Sequence, residues 1–211
     1  MEIHVWSDIA CPWCYIGKRS LEVALERLDY RDEISVHWRS FELDPEAPAK
    51  RDLPMDQLLA KKYHMTMDQV AATQARITET AKGFGLDYHL SDLQSGNTFD
   101  AHRLIHFANT CGRGDAMKER LFRAYFEQGQ LMSDHEVLVA CATDIGLDGD
   151  ATREVLATGA YGDEVRFDEA QANNNDFSAV PTFVVDGRFA VSGAQDPDVL
   201  VKMIERARAT A

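Results

Sequence analysis

Cys11 and Cys14 stand two residues apart in the run Cys11-Pro12-Trp13-Cys14, a spacing at which two thiols can share one disulfide and exchange it with a substrate. The pair falls where a strand gives way to a helix. Ile3-His4-Val5-Trp6, bounded by Ser7-Asp8, reads as a strand, and Leu21, Val23, Ala24, Leu25 and Leu28 recur near the helical period. Pro12 fits the first helical position, where its missing N–H costs nothing. The Cys11 sulfur then lies at a helix N-terminus, facing unpaired amides and the positive end of the dipole. Such a setting favours the thiolate, the form that attacks a disulfide. Cys14, one turn deeper, would resolve the mixed disulfide. Other uses of the pair fit less well. A closed zinc site needs two further ligands at similar spacing, and the remaining cysteines, Cys111 and Cys141, stand alone. Covalent haem attachment needs His directly after the second Cys, where this chain has Tyr15. Burial of two inert thiols asks for neither Pro nor Trp between them.

The chain of 211 residues can bury a sizeable core, and its net charge of −13 argues against nucleic acid or an anionic membrane as partner. It opens Met1-Glu2-Ile3-His4-Val5 straight into the first strand, without a basic stretch, an apolar stretch and a small-residue cleavage site in series. No apolar run approaches a membrane span. A cytoplasmic location is therefore expected, where an isolated pair of this kind is more often catalytic than structural.

The elements that must position the pair divide into a β-containing frame and a helical middle. A helix over about residues 12–28 leads to Ile34-Ser35-Val36-His37-Trp38-Arg39, whose period-2 alternation predicts a second strand. Glu42 to Pro54, with three prolines and many charges, reads as a crossing linker. Helical patterns follow to about residue 175. Pro54 opens one, Thr66-Met67-Asp68-Gln69 is a capping box for another that stops at Gly83 and Gly85, and Ser133-Asp134-His135-Glu136 is a second box. Leu104, Ile105 and Phe107, then Met117, Leu121, Phe122, Tyr125 and Phe126, form stripes that pack a helical subdomain. Strand character returns in Pro181-Thr182-Phe183-Val184-Val185, turns at Asp186-Gly187 and continues through Arg188 to Val191. Asp196-Pro197 then starts a last helix. The order is βαβ, a helical block, then ββα.

Four blocks carry a family resemblance: residues Ser7 to Gly17 around the cysteines, Asn97-Thr98 with Ala101-His102-Arg103-Leu104, Val180-Pro181-Thr182-Phe183, and Gly193-Ala194-Gln195. The chain resembles the DsbA-like thioredoxin-fold oxidoreductases over its whole length, and within them the FrnE-like branch. The resemblance implies an α/β thioredoxin fold with a large all-helical insertion, residues 1–43 and 161–211 forming the thioredoxin-like domain and 44–160 the inserted one. It further implies a cis bond before Pro181, facing the cysteines. The Val180 backbone groups would then point outward, able to pair with an extended substrate segment and to keep metal off two exposed thiolates. Pro12, Trp13, Val180 and Pro181 are the candidate substrate-contacting residues.

The expected function is thiol–disulfide exchange with a protein or small-thiol substrate, with no tightly bound cofactor and glutathione as the candidate co-substrate. A second reading is a glutathione-dependent isomerase or transferase, because the hydroxychromene carboxylate isomerases and kappa-class glutathione transferases share the layout, though they carry Ser where this chain has Cys11. A third is a redox-sensing adaptor or holdase. His102 and Arg103 could bind the carboxylates of glutathione or simply face solvent or an interface. Asp8 could move a proton for Cys14 or cap the helix. Cys111 and Cys141, in helical apolar contexts, are expected to be buried single thiols.

Overall fold

In the computed structural model, which describes residues 1–210, the Cys-Pro-Trp-Cys segment joins strand β1 (Glu2–Ser7) to helix α1 (Pro12–Glu26). β2 (Ser35–Ser40) pairs with β1 in parallel, Val5 opposite Trp38. Parallel neighbours need a crossover, and α1 supplies it. β3 (Thr182–Val185) and β4 (Phe189–Ser192) form a hairpin whose turn residues Asp186 and Gly187 have φ of 48° and 65°, the left-handed geometry that a two-residue turn between twisted strands requires. β3 runs antiparallel to β1 with Phe183 opposite Val5, so the strand order is β2-β1-β3-β4.

Residues paired in register share a face of the sheet. Ile3, Val5, Phe183 and Val185, all fully buried, make one face, and α1 lies on it beside α9 (Pro197–Ala209). The other face carries His4 and Trp6 and is covered by α8 (Gly162–Asn174). Trp6 Nε1–H donates to the Asp168 carbonyl at 2.9 Å, and Phe177 packs edge-on against the Trp6 ring. The buried Asp168 carboxylate accepts from Arg39 at 3.1 Å and from the Ser40 amide at 2.9 Å, fastening α8 to β2.

Between β2 and α8 lie α2 (Met55–Tyr63), α3 (Met67–Gly83), α4 (Phe99–Thr110), α5 (Gly114–Phe126), α6 (His135–Asp144) and α7 (Gly149–Thr158). Met117, Leu121, Phe122 and Phe126 of α5, with Leu104 and Leu138, are fully buried and form the centre of this block. The capping box expected at Thr66 forms, with Gln69 returning a bond to the Thr66 amide at 2.8 Å. The one expected at Ser133 does not. Asp134 caps α6 instead, its carboxylate accepting from the Glu136 and Val137 amides, while the Ser133 hydroxyl donates to the Ala49 carbonyl. A carboxylate takes both amide donors at once, which releases the serine to hold the linker down. Among the described residues no helix is long and apolar enough to cross a membrane.

α1 approaches the start of β3 more closely than a side chain permits. A Cβ at Gly17 would stand 2.8 Å from Pro181 Cγ and 3.2 Å from Phe183 Cζ. Gly17→Ala gains up to about 1 kcal/mol in helix propensity, but overpacking against a proline ring that cannot swing away costs about 1 to 3 kcal/mol. The variant is therefore expected to unfold at lower urea concentration than the wild type. An unchanged or raised midpoint would show that helix and corner can move apart freely.

Candidate active site

Cys11 is the N-cap of α1, with φ −92° and ψ 113°, and Pro12 is the first helical residue. No side chain caps this terminus, so none competes with the Cys11 sulfur for the first-turn amides. The Cys14 amide donates to the Cys11 carbonyl at 3.0 Å, closing the turn that brings the two cysteines together. They approach to 3.4 Å as free thiols.

The pair is less open than the sequence suggests. Cys14 has no exposure and Cys11 only 5%. Val180 and Pro181 join through a cis peptide, but the Val180 carbonyl turns onto the thiols rather than outward, accepting from Cys11 Sγ at 3.5 Å. Tyr88 closes a second side. It reaches in from the segment after α3, donates its hydroxyl to the Pro12 carbonyl at 2.7 Å and stacks on Phe126 at 4.7 Å. Trp13 is half-buried against the same core. Burial pushes the Cys14 thiol up, and the neighbouring Cys11 adds to this.

Beneath the thiols lies a layer of buried polar groups. Asp8 is 2% exposed and does not cap α1; its carboxylate accepts from the Ala10 amide at 3.2 Å and the Leu43 amide at 2.7 Å, and faces His102 Nε2 at 3.4 Å. Burial alone would raise the Asp8 carboxyl, yet His102 and these two amides outweigh it and hold the group below the usual carboxylate range. His102, fully buried on α4, is lowered by burial, so the imidazole is neutral and donates to the ionised Asp8. Lys118 of α5, also fully buried, donates to the Ser7 carbonyl at 3.2 Å and is lowered to about 8 by the same loss of water.

Other residues singled out in the sequence have structural employment. Arg103 is not presented to solvent: its guanidinium is buried and donates to the Ala160 carbonyl at 2.7 Å, to the Val155 carbonyl and to Asp100 at 2.5 Å, holding the C-terminal end of α7. Asn97 accepts from the Phe99 amide at 2.8 Å to start α4 and donates to Glu42 at 3.2 Å. Cys141 is buried as expected, but Cys111 is exposed because it falls at the C-terminal cap of α4, past the apolar stripe. Tyr88 and Lys118 were missed. Nothing near Tyr88 marks it, whereas Lys118 sits one turn before Phe122 on an otherwise apolar stripe, and a charge in that place is a readable anomaly.

The model of the DSBA-like thioredoxin domain matches residues 2–205 of this chain. A probable DsbA oxidoreductase of Streptomyces coelicolor superposes with a TM-score of 0.96 at 40% identity, covering 100% of this chain and 91% of the other. YwbO of Bacillus subtilis is 30% identical over 211 residues, 97% of this chain and 96% of its own. A 2-hydroxychromene-2-carboxylate isomerase shares the fold with a TM-score of 0.73 at 16% identity, over 100% of this chain and 95% of its own.

The neutral state of His102 has a consequence for stability. In the unfolded chain the imidazole takes up a proton near pH 6.5, which the native state resists. The unfolded state therefore binds more protons below that value, and stability is lost as pH falls, by up to about 1.4 kcal/mol per unit until the native group also titrates. Asp8, also lowered, adds loss with the same sign only at more acidic pH, below the unfolded carboxylate value. His102→Asn removes the first contribution. The stability gap between wild type and variant, from urea unfolding between pH 7.5 and 5, is expected to narrow steadily; a constant gap would mean that His102 titrates in the native protein as it does in the unfolded chain, and a widening gap that it is held charged there.

Proposed function

The chain belongs to the DSBA-like thioredoxin family, and we propose that it is a cytoplasmic thiol–disulfide oxidoreductase in which Cys11 attacks and Cys14 resolves. The observation that carries this reading is the pair of free thiols 3.4 Å apart at an uncapped helix N-terminus. Cys11 has the small residual exposure, and Cys14 has none. The outer sulfur therefore meets a substrate disulfide, forming a Cys11–substrate bond and releasing the first substrate thiol; Cys14 then attacks Cys11 and releases the second. The substrate is a protein disulfide or a small disulfide such as that of glutathione, contacting Pro12, Trp13, Val180 and Pro181. In this reading residues 1–43 and 161–211 are the thioredoxin-like frame, and 44–160 are a helical insertion that supplies the cover over the thiols.

Insulin reduction coupled to a thiol donor tests the assignment. Cys11→Ser is expected to fall to background. Cys14→Ser is expected to stop after one half-reaction and accumulate a one-to-one mixed disulfide, visible by intact mass, because nothing resolves it. Normal turnover by Cys14→Ser would overturn the pairing. Glutathione-dependent isomerisation of 2-hydroxychromene-2-carboxylate without disulfide turnover would favour the isomerase reading instead.

The other two cysteines provide a control. Cys111→Ala with Cys141→Ala is expected to keep wild-type turnover and to lose about 1 kcal/mol of stability, from the buried Cys141 side chain. Loss of turnover in the folded double variant would point to a second redox pair.

A further inference from the structure

Lys118 is fully buried on α5, yet no carboxylate among the described residues lies within ion-pair distance of it. Its ammonium donates to a single acceptor, the Ser7 carbonyl. Otherwise it rests against aromatic rings, 4.9 Å from the centroid of Phe122 and 5.9 Å from that of Trp38. An ammonium has three donors and loses much hydration on burial, so an apolar side chain of equal length would fill this space at least as stably. Packing does not account for the charge.

Its surroundings do. The Ser7 carbonyl that it holds leads into the turn whose Asp8 carbonyl accepts from the Cys11 amide at 3.3 Å, and Phe122, against which it rests, stacks at 4.8 Å on Tyr15, the residue next to Cys14. The titratable groups whose charge bears on it are Cys14, Cys11 and Lys18 of α1, Asp8 of the turn after β1, and the neutral His102 of α4. On its own helix, Asp115 and Glu119 turn to Lys18, at 3.2 and 3.3 Å. Asp8 is already occupied by two amides and His102. Burial opposes ionisation of Cys14, and the groups that favour it are the Lys118 charge and the Asp8 backbone N–H.

We propose that Lys118 is the positioning charge of the resolving step, its buried ammonium stabilising the Cys14 thiolate as that sulfur attacks the Cys11 mixed disulfide. The inference rests on the exchange reading above. In the step the Cys14–Cys11 bond forms, the bond from Cys11 to the substrate sulfur breaks with its electron pair leaving on the substrate, and the Cys14 proton ends on the departing thiol. The protein pair is oxidised and the substrate sulfur reduced. Lys118 makes no hydrogen bond to either sulfur; it acts through its field, which a dry site screens weakly.

The test follows the full-length reduced protein reacting with 5,5′-dithiobis(2-nitrobenzoate) in stopped flow. The first thionitrobenzoate released reports attack by Cys11 and the second reports resolution by Cys14. In Lys118→Met the second phase is expected to slow by about 10- to 100-fold at pH 7, since the thiolate fraction falls tenfold for each unit by which the Cys14 titration rises. Its pH profile moves to alkaline values, and high pH restores the rate. Lys118→Gln, which keeps a donor for the Ser7 carbonyl, gives the same displacement and stands in if the Met variant does not fold. The packing control Leu121→Val is expected to lower the melting temperature without moving the profile. A folded neutral variant whose second phase keeps the wild-type pH profile would overturn the role of Lys118. A wild type that releases no second thionitrobenzoate would instead overturn the exchange reading itself.

Discussion

The close contact of α1 with the start of β3 is the constraint on which the rest of the site depends. Gly17 permits it, because a Cβ there would press on Pro181 and Phe183. Three further bonds hold the corner in place. The Gly193 amide, available because that residue adopts φ of 89°, donates to the Pro181 carbonyl at 2.7 Å. Thr182 donates to the Ala179 carbonyl at 2.7 Å, and Ser20 of α1 donates to the Gln195 carbonyl. The residue just before this corner, Val180, presents its carbonyl to Cys11. The distance between thiol and backbone is thus set by helix-to-strand packing in a close-packed interior, where displacement by even one methyl group is felt.

This also explains which parts of the molecule were legible in the chain and which were not. Strand and helix periods located the frame well: the alternation from Ile34 to Arg39 became Ser35–Ser40, and Asp186-Gly187 became the hairpin turn. These are local signals, carried by residues adjacent in sequence. Cys11 and Cys14 were readable for the same reason. The cover over them was not. Tyr88 comes from 76 residues past Pro12, and no period or cap relates such partners; Val180, 169 residues past Cys11, was placed opposite the thiols only through the family resemblance, and the turn of its carbonyl onto Cys11 was not foreseen. Ser133 misled because a serine three residues before a glutamate meets the rule for a box, while Asp134 beside it competes for the same amides. Arg103 misled because its type suggests a ligand, whereas α7 had bare terminal carbonyls for it to satisfy.

Lys18 and Lys118 show how partners decide the meaning of a buried charge. Both are almost without exposure. Burial lowers each, but Lys18 is surrounded by Asp115, Glu22 and Glu119 and ends above its ordinary value, while Lys118 has no such partner and ends at about 8. The first is a tie between α1 and α5 that stays charged through the neutral range. The second stands close to the point where charge and neutrality exchange.

The thiols and the groups that surround them come from different parts of the chain. Cys11 and Cys14 belong to the β1–α1 junction, whereas Tyr88, His102 and Lys118 are all supplied by the segment between β2 and α8. A helix N-terminus favours a thiolate at its first residue, but its field falls off within the first turn and leaves the deeper sulfur little helped. Around Cys14 the same block that excludes water also raises the cost of ionisation, so in the exchange reading proposed above the resolving attack falls to a sulfur whose ionisation burial opposes. Covering a dithiol therefore creates a need for a compensating charge inside the cover, and α5 carries that charge on the stripe that buries it.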